Sequence, residues 1–135
     1  MNRVDLQHLC ELRLREAKTL LDAGEASGAY YLAGYAVECA LKACIAQKFK
    51  EHEFPDKSFV NSVYSHNLQD LLKHAGLASE PEIAPESRLW DQWSIVKAWN
   101  ETKRYEETSE KQAQEIYWAI ADSETGVLQW LKKRW

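Results

Sequence analysis

An all-α fold, arranged as an up-and-down four-helix bundle with one additional short helix, is the architecture this 135-residue chain predicts. Three observations carry it. Only five glycines and three prolines occur, while Ala, Leu, Glu and Lys are plentiful, which favours helix over a turn-rich sheet. Apolar residues recur at spacings of three and four. Helix stop and start signals punctuate those runs at Gly24, Gly76 and Ser109. The length suits one hydrophobic core, so residues 1–135 are read as a single domain, with no internal repeat or linker.

The first helix is expected from about Val4 to Ala23, where Leu6, Cys10, Leu14, Ala17 and Leu21 mark one face and Gly24 stops the run. A second, from about Ser27 to Glu51, is apolar nearly all round in its first half. It is also rich in small residues, including Ala33, Gly34, Ala36, Ala40 and Ala43, so it should be central, with neighbours approaching closely. Glu38 and Lys42 stand four residues apart inside it in the favourable order, either a structural pair or a substrate-facing one. Phe54-Pro55-Asp56-Lys57 should be a loop. Ser65-His66-Asn67 offers capping oxygens to a short helix carrying Leu68, Leu71, Leu72 and Ala75 and ended by Gly76. Pro81 and Pro85 exclude a long helix between Ser79 and Pro85.

A fourth helix is expected from about Glu86 to Tyr105, with Leu89, Trp93 and Val96 inward and Trp90 and Trp99 less regularly so. Ser109-Glu110-Lys111-Gln112 fits a capping box, so the last helix should start at Glu110 and carry Ala113, Ile116, Ile120, Val127 and Leu131 inward. Gly126 inside it would cost about 1 kcal/mol against alanine.

A net charge of −4 argues against a basic surface over the whole domain, though not against a local basic patch. Cys10, Cys39 and Cys44 lie in helical patterns without Cys-x-x-Cys spacing. They read as small buried hydrophobes in a reducing compartment rather than a disulfide framework or zinc site. Asp5, Glu11 and Arg13 occupy the first turns where a signal peptide would be apolar, and Glu38 and Lys42 interrupt the most apolar run. A soluble, cytoplasmic protein without a membrane segment is the expectation.

Ala29-Tyr30-Tyr31-Leu32-Ala33-Gly34-Tyr35-Ala36-Val37-Glu38-Cys39-Ala40-Leu41-Lys42-Ala43 resembles the signature second helix of the HEPN family (higher eukaryotes and prokaryotes nucleotide-binding). Ser65-His66-Asn67-Leu68 resembles the family's segment opening a short helix, and Lys103-Arg104-Tyr105 is similar to the Arg-Tyr turn of its prokaryotic branch. The resemblance implies a helical bundle that commonly dimerises and is often encoded beside a small nucleotidyltransferase as a toxin–antitoxin pair. It also implies that active members are metal-independent ribonucleases whose Arg-x4–6-His motifs meet at the dimer interface. There the arginine would hold the phosphate and the histidine would move protons.

At the motif position this chain keeps Arg104, but Ser109, Glu110 and Lys111 stand where the histidine would be. The literal Arg-x4-His match, Arg3 to His8, places its side chains about 140° apart on a helix and is expected to be fortuitous. Lys103, Arg104 and Tyr105 are therefore candidates for binding nucleotide or RNA, at the head of the last helix where free amides favour an anion. The alternative is a solvated charge neutralised by Glu106 and Glu107. Arg104, Tyr105 and His66 are also the candidates for a variant catalytic centre, although the ring of His66 is better placed to bridge the loop and fix the short helix against the second. Neither His52 nor His74 has a partner at ligand spacing, and no metal or cofactor is implied.

Trp130 and Trp135, beside Lys132, Lys133 and Arg134, suit a partner surface or an RNA contact, the alternative being the last turn of a helix whose rings cover the bundle, and six tryptophans in all favour a homodimer that hides rings a small monomer cannot cover. The expected function is a dimeric nucleotide- or RNA-binding module, or the partner of a separately encoded nucleotidyltransferase. An active ribonuclease toxin and a purely structural interaction module are the alternatives.

Overall fold

The computed structural model describes residues 1–49 and 53–135, and every regular element among them is helical. The α-helices are α1 (Arg3–Asp22), α2 (Ala26–Gln47), α3 (Lys57–Val63), α4 (Leu68–His74), α5 (Arg88–Val96), α6 (Glu110–Ala121) and α7 (Val127–Lys132). Single 3-10 turns cover Pro81–Ile83 and Glu101–Tyr105. The helical bundle is thus as the sequence predicts, with more short helices than expected.

Helix α2 is its axis. Ala33, Ala36, Val37, Ala40, Leu41 and Ala43 are fully buried, and α1, α4, α6, α7 and the 101–105 turn all pack on it. Small side chains allow that. Gly34 lies against the ring of Trp99 so closely that a Cβ would overlap it. Helix α1 returns along α2 after a three-residue connection in which Gly24 takes the left-handed conformation its lack of a Cβ permits.

Two expected helices are shorter than their patterns. The run from Glu86 to Tyr105 starts late because Glu86 is left-handed (φ 72°), leaving Ser87 to cap α5 through the Trp90 amide. It ends early because Trp99 turns into the core and Asn100, extended, caps the 101–105 turn by accepting from the Thr102 amide. The last helix begins at Glu110 with both halves of its capping box formed, but breaks after Ala121. There the Asp122 carboxylate accepts from the amides of Glu124 and Thr125, and Gly126 packs against the Ile120 and Asp122 carbonyls where a Cβ would collide. Gly126 therefore caps α7 rather than weakening a continuous helix.

Helix α3 directly follows the expected Phe54–Lys57 loop, sharing only Lys57 with it, and is not among the expected helices. Asp56 caps it, and Phe59 and Val63 pack on the core although none of its residues is fully buried. The expected end of α2 at Glu51 lies outside the described residues, as does His52.

The three cysteines are free and buried. Burial pushes the Cys10 and Cys44 thiols up to about 12 and the Cys39 thiol to about 11. They behave as core hydrophobes. Among the described residues no helix is long and apolar enough to cross a membrane.

Candidate functional site

Two polar constellations stand out on α2, one at each half. The first is the Arg104 turn. The 101–105 turn packs on the start of α2, and the Thr108 amide donates to the Ser27 hydroxyl, fixing the chain there before α6 begins. Trp99 supports it from beneath, 5.8 Å from the Tyr31 ring. Arg104 is exposed, its guanidinium 4.8 Å above the centre of the Tyr105 ring, which is itself 77% exposed. The hydroxyls of Tyr105 and, to a lesser degree, Tyr31 push the guanidinium's already high pKa further up.

No carboxylate pairs with Arg104 among the described residues. Lys103 differs. Its ammonium holds Glu106 at 2.9 Å, the main reason its pKa is raised. Part of the expected neutralisation by neighbouring acids is therefore present, and it falls on Lys103 rather than Arg104. The head of α6 is not a row of free amides either. Ser109 accepts from the Gln112 amide, and Glu110 adds a negative charge to the first turn. An anion here would rest on the arginine and tyrosines, with little help from the helix end.

The second constellation lies two turns further along α2. Glu38 is only 3% exposed, and its Oε1 accepts from Lys42 Nζ at 2.9 Å and meets His66 Nδ1 at 2.6 Å. The pairing within α2 follows from the four-residue spacing. The bond to His66 joins residues 28 positions apart and ties the α3–α4 connection to α2. Asn67 caps α4 through the Asp70 amide, and Ser65 accepts from the Asn67 amide, so the histidine is held on a built turn. With Nδ1 on the carboxylate, Nε2 is the imidazole nitrogen left for solvent, and the side chain is 49% exposed. Glu38 Oε2, buried, has no hydrogen-bond partner.

The two constellations do not merge within one chain. Arg104 adjoins Tyr31 and His66 adjoins Glu38, seven residues on, so α2 separates them by about 10 Å along its axis. They lie on nearly the same face of α2, but one phosphate cannot touch both. Arg3 and His8 both lie in the first half of α1, five residues apart on different sides of the helix. His74 packs edge-on to Phe59. No group of three or more His, Cys, Asp or Glu side chains among the described residues could hold a metal ion.

At the chain end the structure favours the reading in which the rings cover the bundle over the partner surface. Trp130 is buried, Trp135 packs on the core and only Trp118 of the six tryptophans is well exposed. Arg134 stacks on Trp130 and reaches Glu80 and Glu82, while Lys132 faces Glu11. The two rings at the chain end are largely covered within the chain. α7 folds back at Asp122 and puts them there, a break the hydrophobic pattern does not reveal.

A HEPN-domain family model matches residues 10–134 of the chain. The protein belongs to the HEPN family. Comparison with curated proteins and with solved structures gave no match. The match spans both constellations, so Arg104, Tyr105, Glu38, Lys42 and His66 all lie inside the HEPN domain. Sequence reading named each of them but missed Tyr31 as a neighbour of Arg104 and Glu38 as the partner of His66. Both are long-range contacts without a local spacing signal.

Proposed function

We propose that this HEPN protein is a nucleotide- or RNA-binding module, acting as a homodimer or beside a separately encoded nucleotidyltransferase of a toxin–antitoxin type system, without the family's usual ribonuclease centre. One observation carries the reading. Arg104 presents an exposed guanidinium with no recorded acid partner, stacked on an exposed tyrosine, while the positions that would supply a histidine hold Ser109, Glu110 and Lys111. A guanidinium grips a phosphate bidentately, and an exposed ring beside it offers a base a stacking face. Neither contact needs a proton carrier.

The test is binding of a labelled single-stranded RNA by anisotropy at two salt concentrations. Arg104→Ala should weaken it about tenfold and flatten its salt dependence, since one phosphate contact is removed. Unchanged affinity and salt slope in that variant would sink the reading. A purely structural interaction module would bind no RNA in either form.

The ribonuclease reading is favoured by a different observation, the half-exposed imidazole of His66 held through Nδ1 by a buried carboxylate. A carboxylate-held histidine of this kind can serve as general base. The spacing along α2 means that it would need Arg104 of a second copy. Cleavage of transfer RNA that disappears in both Arg104→Ala and His66→Ala, and returns when the two variants are mixed, would establish that arrangement in place of the non-catalytic one.

A further inference from the structure

Helix α2 is central, yet its neighbours do not cover it all round. From Tyr31 to Ala46 its incompletely buried residues are Tyr31, Leu32, Tyr35, Lys42 and Ala46. All but Leu32 fall within about 60° of one another around a helix of about 3.6 residues per turn, so the openings form one lengthwise strip. That strip starts at the Arg104 turn and leads away from it.

Aromatic rings occupy its near half. Tyr31 adjoins the Arg104 guanidinium through its hydroxyl, and the buried Trp99 backs its ring at 5.8 Å. One turn further on, the Tyr35 ring follows at 6.3 Å from that of Tyr31, tilted by 36°. That interval is nearly twice the roughly 3.4 Å step of stacked bases, so the two rings suit bases splayed apart onto the protein rather than stacked on each other. Helix α2 sets no exposed acid on the strip. Its one acid, Glu38, is buried and neutralised by Lys42. From α1, Arg13 comes near enough to Tyr35 to act against the rise in pKa that burial causes, although its own partner is Glu16.

An exposed guanidinium followed by a file of rings is matched by a chain that alternates phosphate and base. We propose that the ligand of this protein is a single-stranded oligonucleotide rather than a free nucleotide, lying lengthwise along α2 with one phosphate on Arg104 and successive bases on Tyr105, Tyr31 and Tyr35. The inference deepens the proposed RNA binding and rests on it. A mononucleotide fills only the Arg104 end. Because one phosphate is gripped, the gain with length comes from stacking and not from added charge. Glu38, buried, takes no part in holding the strand.

Competition against a labelled single-stranded RNA tests it on the full chain. The unlabelled probes are adenosine monophosphate, pentaadenylate, and a pentamer of the same backbone that keeps only its central base. Pentaadenylate should bind about a hundredfold more tightly than the monophosphate, two further stacked bases each adding about tenfold. The single-base pentamer should lose most of that gain. Tyr35→Leu should weaken pentaadenylate about tenfold and leave the monophosphate unchanged, while Tyr35→Phe, which keeps the ring, should bind both as the parent chain does. Thermal unfolding confirms that both variants fold, and the comparison of the two pentamers needs neither. Equal affinity of those pentamers, or a folded Tyr35→Leu variant that binds pentaadenylate unchanged, would overturn the proposal. Arg104→Ala should weaken all three probes. If it does and length adds nothing, the strip fails while the Arg104 reading stands; if Arg104→Ala changes nothing, both fail.

Discussion

The Arg104 turn and the Glu38 cluster sit two helical turns apart on one helix and are built on opposite terms. The turn is exposed, formed by neighbours in sequence, and holds its arginine through stacking rather than an ion pair. The cluster is centred on a buried carboxylate, brings together residues 28 positions apart, and ties its charges to one another. An exposed group can change with little effect on the fold and a large effect on what it binds. A buried pair does the reverse, because its partners lose the compensation that made burial tolerable. Each region therefore has a distinct signature in stability and in binding.

The largest expected effect comes from what supports the exposed site. Gly34→Ala forces a methyl into the Trp99 ring and should lower unfolding stability by about 3 kcal/mol, read by urea denaturation. Loss of under about 0.5 kcal/mol would mean that Trp99 yields freely and that the turn above it is not rigidly seated. Glu38→Ala comes next. It strands Lys42 and His66, both in contact with solvent, so a loss of about 2 kcal/mol is expected rather than the full cost of orphaning a buried ion. RNA affinity should be unaffected by it.

The buried thiols predict a pH effect of similar rank. Their folded pKa values lie above the ordinary value of 9.0, so the native state holds protons that the unfolded chain gives up. Stability is full below pH 9 and should fall as the pH rises from there towards 11, by up to about 1.4 kcal/mol per pH unit for each thiol. Replacing Cys10 by Ala should reduce that slope in denaturation measured from pH 8 to 10. Arg104→Ala is the smallest change in stability, within about 0.5 kcal/mol, and the largest in RNA binding. If it destabilised the fold as much as Glu38→Ala, the contrast between the two regions would collapse.

Much of this was legible beforehand, and unevenly. Helix α1, the α2 core and the Ser109 capping box follow from spacing and side-chain chemistry within a few residues, so local reading reaches them. The breaks at Trp99 and Asp122 do not. Trp99 leaves the helical path because a glycine on another helix makes room for it, and Asp122 stops α6 where the apolar rhythm continues into α7. Helix α3 is only seven residues long, and its small apolar face of Phe59, Val60 and Val63 is too short to stand out as a helical period.

By itself, the sequence determined the helical class, the central place of α2, the chain's HEPN character and the presence of an arginine without its motif histidine. These rest on local periodicity, on small residues in a row and on residue identity, none of which needs a third dimension. Only the tertiary structure decided that His66 meets Glu38, that Lys103 is bound to Glu106 while Arg104 rests on a tyrosine, and that the terminal tryptophans are largely covered. Those outcomes depend on which elements are brought side by side. Packing around α2 selects them, and no spacing along the chain encodes them.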